Sequence, residues 1–144
     1  MKDTPISARI GNFDATTDRE RIDLGAALEL LKTTHWATNL TLEKLTLAVT
    51  NSLTFALLQN GVLVAFGRIV TDRSTFAYLT DVVVDGHMRG KGIGERFVKW
   101  MLLHPDLTDV RRVTLLTRDG ASLYRKLGFT EGSRLVFMEK VDCL

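Results

Sequence analysis

Apolar side chains recur along this chain first at helical and then at strand spacing. Leu24, Ala27, Leu28 and Leu31 fall on one helix face, and Leu42, Leu45 and Val49 on one face of a second helix, with Thr41 as its N-cap. Ahead of them, Ser7 to Phe13 is expected to be a strand. Thr54-Phe55-Ala56-Leu57-Leu58 and Val62-Leu63-Val64-Ala65-Phe66 then flank Asn60-Gly61, the dipeptide that type I′ turns prefer because both central residues need positive φ. The second of these strands runs to about Val70, turns at Asp72-Arg73-Ser74 and returns as Phe76 to Val84, which gives three antiparallel strands. After Gly92, the spacing of Ile93, Phe97, Trp100, Met101 and His104 predicts a helix that Pro105 stops. His104 is expected at its C-terminal end, where an imidazole favours the helix dipole. Arg112 to Thr117 is a strand rich in Val and Leu. A short helix over 121–127 ends at Gly128, and Phe129 opens a last stretch that closes with Leu135-Val136-Phe137-Met138. The alternation is that of an α/β chain.

Length and composition narrow the setting. A chain of 144 residues without repeats, linkers or low-complexity segments suits one domain over 1–144. Hydrophobic residues make up 45% and charged residues 25%, the balance of a soluble globular protein. A net charge of +2 argues against a nucleic-acid surface. No apolar run approaches membrane-spanning length, and Met1-Lys2-Asp3-Thr4-Pro5 leads into no apolar leader. The only cysteine is Cys143, so neither an internal disulfide nor a multi-cysteine metal site can form. No grouping of histidine, cysteine and carboxylate has ligand spacing, so no metal is expected. These features predict a cytoplasmic protein whose partners include neither membrane nor nucleic acid.

The chemistry concentrates between Asp81 and Gly94. A β-branched run, Val82-Val83-Val84, ends in Asp85-Gly86-His87-Met88 and then in the basic, glycine-rich Arg89-Gly90-Lys91-Gly92-Ile93-Gly94, which opens a helix. Glycines let a phosphate approach the backbone, first-turn N–H groups point at it, and the helix dipole favours negative charge. Arg89 and Lys91 add two cations. A P-loop would need Ser or Thr after Lys91, where Gly92 stands, and a dinucleotide fingerprint would need a third glycine where Glu95 stands. What remains is Arg-x-x-Gly-x-Gly, met by Arg89, Gly92 and Gly94; read alone, it also fits a glycine turn at a tight strand-to-helix corner.

This pattern resembles the coenzyme A pyrophosphate loop of the GCN5-related N-acetyltransferase (GNAT) family. A second block, Thr117-Arg118-Asp119-Gly120-Ala121-Ser122-Leu123-Tyr124-Arg125-Lys126-Leu127-Gly128-Phe129, resembles the same family's next motif: Tyr124, Gly128 and Phe129 match, and Gly120 takes the place of a small residue. Thr117 stands where the family often has Asn, and Gly86 where it often has Pro. The likeness covers residues 54–139.

The resemblance implies an acyl-CoA N-acyltransferase fold, a mixed, mostly antiparallel twisted sheet flanked by helices on both faces. It implies acetyl-CoA as co-substrate, held by Arg89, Gly90, Lys91, Gly92, Ile93 and Gly94, with Thr117, Gly120 and Tyr124 further along. The pantetheine arm would run beside Val82, Val83 and Val84, a segment that maps to the family's bulged fourth strand, where a backbone N–H would hold the thioester carbonyl. Transfer to a primary amine requires that the amine lose a proton and the leaving thiolate gain one. Tyr124 is the candidate acid, against a reading as a helix tyrosine that only packs. Asp81 is the candidate base, against an ordinary strand-end aspartate paired with an arginine. Trp36, after His35, is a candidate wall of the acceptor site or a core anchor. Glu95 complements the helix dipole and His87 reads as a solvated loop residue. With no well-placed cysteine, direct attack in a ternary complex is expected. The alternative is a non-catalytic acyl-CoA-binding or regulatory module of the same fold. The acceptor, a small-molecule or peptide amine, is open, as are monomer and homodimer.

Overall fold

A computed structural model describes residues 4–132 and 134–142. Six strands form one sheet in chain order: β1 (Ser7–Ile10), β2 (Phe13–Thr16), β3 (Leu53–Gln59), β4 (Val62–Thr71), β5 (Phe76–Val84) and β6 (Arg112–Leu115). Neighbours are antiparallel except β5 and β6, which are parallel. A parallel pair needs a crossover, and α3 (Ile93–Leu102) supplies it. Helices α1 (Leu24–Leu31) and α2 (Leu42–Thr50) join β2 to β3, and α4 (Ala121–Lys126) follows β6. The fold class is the expected mixed sheet between helices.

Strand alternation sends side chains to two cores. Phe55, Leu57, Ile69, Ala77 and Leu79 pack with Phe97, Val98 and Met101 of α3. Ala56, Leu58, Phe66 and Val83 pack on the opposite face with Leu28, Leu31, Leu45 and Val49 of α1 and α2. The helix starts follow the sequence: Asp23 caps α1 through the Ala26 N–H, and Thr41 caps α2 through the Lys44 N–H. A Cβ on Gly67 would stand 2.7 Å from Met101 Cε, the flexible tip of a side chain of α3 that fills the space above this residue. At the β4–β5 turn, the Thr75 hydroxyl and the backbone N–H groups of Thr75, Ser74 and Phe76 hold the Asp72 carboxyl well below the usual carboxylate range.

Three expectations are corrected. The strand over Ser7 to Phe13 is a hairpin, because Gly11 at φ +57° turns the chain and lets Arg9 pair with Asp14 at 2.7 Å. β6 stops at Leu115, before Thr117. His104 lies beyond α3 rather than in its last turn. It is buried, edge-on to Phe55, and its Nδ1 accepts from the Asp106 N–H, a role that a doubly protonated ring cannot fill. The stretch that Phe129 opens, to which the sequence assigned no element, forms none among the described residues. From Thr130 on, every described side chain is exposed, Met138 by 85%, so no burial offsets the entropy of ordering the segment.

Candidate active site

The site begins at a fault in β5. Thr80 pairs with Arg68 and Val83 with Phe66, so Asp81 and Val82 both stand opposite Gly67 and have no paired residue in β4 or β6. Asp81 adopts φ +57°, the left-handed conformation that a short polar side chain tolerates best. A bulge leaves backbone groups outside the ladder and sharpens local twist. The pairing of β5 with β6 ends at Leu79 and Leu115, below the bulge. Beyond it the strands part, and a cleft of about 1200 Å³ runs between them, bordered by the start of α3 and by α4. All the residues expected at the cofactor line this cleft except Lys91, which turns to a second hollow on the other side of the loop.

At one end of the cleft stands the glycine loop. Gly90 and Gly92 have φ of +80° and +75°, and nothing lies within 4 Å of where their Cβ atoms would be. These glycines therefore serve conformation and leave open space for a ligand. At Gly94 a Cβ would make only ordinary contacts, 3.4 Å from Leu123 of α4 and 3.7 Å from Val84, so space there does not demand glycine. The Arg89 side chain is staked to the loop by Nε donating to the Val84 carbonyl at 3.2 Å. An anion could meet here the first N–H groups of α3 together with the Arg89 guanidinium.

Tyr124 faces the cleft from α4. The helix ends in a Schellman turn: Gly128, at φ +95°, donates to the Arg125 carbonyl, and Phe129 donates to Tyr124 at 3.1 Å. This returns the Phe129 ring edge-on to Tyr124, with centroids 5.8 Å apart. Gly120 gives Tyr124 room, since a Cβ there would stand 3.2 Å from the ring and 2.9 Å from Thr117 Oγ1. The Thr117 hydroxyl accepts from the Gly120 N–H at 2.8 Å, so it steadies the helix start. Burial pushes the Tyr124 phenol above its ordinary pKa.

At the other end, Asp81 meets two partners. Arg68 Nε donates to Oδ2 at 2.9 Å, with both side chains mostly buried, and the Trp36 indole N–H donates to Oδ1 at 3.3 Å. Both Asp81 and Trp36 line the cleft, beside Thr33, His35, Tyr78 and Thr80. Trp36 is half exposed, which favours the wall over the core anchor, and the arginine pairing weighed for Asp81 is present at the cleft itself. Sequence reading missed Arg68; the available signal was a charge beside Gly67 inside the apolar run Val62 to Val70. No His, Cys, Asp and Glu cluster among the described residues would hold a metal ion. His87 and Glu95 are both placed at the loop, and Glu95 stands in the first turn of α3 as expected.

Comparison with known proteins bears on this geometry. The sequence profile of the acetyltransferase (GNAT) domain matches residues 50–131. No curated protein matches in sequence. Among solved structures, a protein from Xanthomonas campestris pv. campestris assigned to the GNAT family is 33% identical, with 92% of this chain and 96% of that chain covered and a TM-score of 0.85. A Mycobacterium tuberculosis protein solved in complex with CoA is 25% identical, over 85% of this chain and 75% of that chain, with a TM-score of 0.69. Glucosamine-6-phosphate N-acetyltransferase from Arabidopsis thaliana shares the fold at 19% identity, 90% and 97% coverage and a TM-score of 0.68. The split sheet, the glycine loop at its mouth and these matches agree, and the chain belongs to the GNAT acetyltransferase family.

Proposed function

We propose that this chain is a one-domain, acetyl-CoA-dependent N-acetyltransferase that passes the acetyl group to a primary amine by direct attack in a ternary complex. The observation that carries the reading is the cleft that opens at the β5 bulge, with the glycine loop at one end and Tyr124 facing its middle. The N–H groups of the loop and the Arg89 guanidinium bind the pyrophosphate, and the unpaired β5 backbone takes up the place of a ladder partner for the pantetheine arm. Acyl transfer builds negative charge on the thioester oxygen, and a backbone N–H of the Val82-Val83-Val84 segment stabilises it.

Asp81 draws the acceptor ammonium and accepts its proton, directly or through a water, so that the neutral amine can attack. Arg68 and Trp36 hold that carboxylate in place. Tyr124 donates its proton to the departing thiolate; a phenol is protonated at neutral pH in any case, and burial raises its pKa further. Toward the α1 end the one charged side chain among the described residues of the lining is Asp81, already paired with Arg68 behind it. Trp36 offers a ring face to the rest of the acceptor.

Thermal-shift titration with acetyl-CoA, coupled to a free-thiol release assay over a panel of amines, tests the proposal. Stabilisation together with release for at least one amine is expected. Absence of stabilisation overturns the cofactor reading. Stabilisation without release for any amine favours a non-catalytic acyl-CoA-binding module.

A further inference from the structure

We propose that Ser52 is a positioning residue for Asp81 and acts through Arg68, an inference that rests on the N-acetyltransferase reading of the cleft. The guanidinium that pairs with Asp81 has a second contact. Its Nη1 donates to Ser52 Oγ at 3.5 Å, while its Nε donates to Asp81 Oδ2 at 2.9 Å. A hydroxyl has one proton to give and two lone pairs. Ser52 spends that proton on the Ala48 carbonyl at 2.6 Å, so toward Arg68 its oxygen can only accept. The direction of every bond in the chain is therefore set. Ser52 donates to the end of α2, Arg68 donates to Ser52 and to Asp81, and the Trp36 indole donates to the other carboxylate oxygen.

The seat of Ser52 is firm. It lies between α2 and β3, and its N–H donates to the Val49 carbonyl at 3.4 Å. The same carbonyl accepts from Arg19 Nη1 at 3.0 Å, which ties the end of α2 to the segment after β2. A guanidinium held by one hydrogen bond can turn about it, and a second bond at another nitrogen fixes its plane. Asp81 needs such a fixed neighbour, because at the left-handed residue of the bulge no strand partner sets its direction. Freed from Ser52, Arg68 can turn two N–H groups to the two carboxylate oxygens, the bidentate pairing that these groups favour. That arrangement takes up lone pairs that the acceptor ammonium needs. Ser52 keeps the pair open on its cleft side.

Thiol release with acetyl-CoA and the best amine of the panel, measured for wild type, Ser52→Ala and Ser52→Thr, tests the role. Ser52→Ala should lower acceptor kcat/KM by about threefold to tenfold, chiefly through KM, the scale of one hydrogen bond. Acetyl-CoA KM should not change. Ser52→Thr keeps the hydroxyl and should restore the acceptor KM. A cycle with Arg68→Lys separates this role from a merely structural one. A single ammonium does not hold Asp81 and Ser52 as the guanidinium does, so Ser52→Ala should add nothing there. Melting curves check the fold. If Ser52→Thr is unstable the cycle decides, and if Arg68→Lys is inactive the rescue decides. Unchanged acceptor kinetics in Ser52→Ala overturn the role. So does the same loss in the Arg68→Lys background, or a stable Ser52→Thr that behaves like Ser52→Ala. A wild type that releases no thiol with any amine overturns the N-acetyltransferase reading, and this role with it.

Discussion

The two ends of the cleft are built by different means. The end proposed for the cofactor comes mostly from one run, Val82 to Gly94, rich in glycines and opening a helix. The end proposed for the acceptor joins side chains far apart in the chain: Trp36 reaches Asp81 across 45 positions, and Arg68 across 13. A main-chain site survives most side-chain replacements and fails at its glycines. A side-chain site fails at any member, because each one orients the next. The contrast predicts broad tolerance at Val82 and Val84, with Val83 limited by the core it fills, and little at Arg68, Asp81 and Tyr124.

Tyr124→Phe should have the largest effect. It keeps the ring that packs on Phe129 and removes only the hydroxyl, so kcat should fall by roughly 10²–10⁴-fold while acetyl-CoA KM changes little. Since burial raises the phenol pKa, the alkaline limb of the kcat profile should lie above the ordinary phenol position and vanish in the variant. The sign for stability is the same: the folded state holds this proton more tightly than the unfolded chain. That contribution is complete below the ordinary phenol pKa and is lost as pH rises through the raised one, which melting curves in alkaline buffer will register. An unchanged kcat with a good acceptor would return Tyr124 to packing alone.

Arg68→Met strands a mostly buried carboxylate and should cost about 3 kcal/mol in urea denaturation, much of it regained when Asp81→Asn is added. An exposed-pair cost of under about 1 kcal/mol would show that the two ends are less different than proposed. Gly92→Ala puts a Cβ at φ +75°, a strain of roughly 1–2 kcal/mol, and aims it into the space assigned to the pyrophosphate, so coenzyme A affinity by titration should drop well over tenfold. Equal binding would remove the loop from the site. Trp36→Phe should matter least: it deletes one exposed hydrogen bond of 3.3 Å, worth about 0.5–1.5 kcal/mol in acceptor kcat/KM, and leaves coenzyme A binding unchanged.

The same division governs what could be read from the chain. Asn60-Gly61, the N-cap at Thr41, the apolar face of α3 and the glycine at 128 all signal structure within a few residues, and each element stands where that local pattern put it. The glycine loop was legible for the same reason. The bulge left no local mark, because its left-handed residue is Asp81 rather than glycine and three valines after it read as an uninterrupted strand; only the family resemblance pointed to a bulged strand there. Arg68 escaped notice because its meaning lies in the opposite strand. The β1–β2 hairpin was hidden by its brevity: four residues on each side of Gly11-Asn12 give too little alternation to separate one strand from two.

The register of β5 shows what the cleft costs the sheet. Counting outward from Gly67, the pairing below the bulge is offset from the pairing above it by a single residue. Deleting Val82 would cancel that offset, return Asp81 to an ordinary alternating position and leave Val83 and Val84 on the faces they now occupy. The shortened chain would keep both cores and gain a continuous ladder, yet it would lose the parted strands that admit a ligand. Insertions and deletions at this point should therefore be selected against by binding alone, whereas a length change at the exposed turn over 72–75 would meet only the demands of folding.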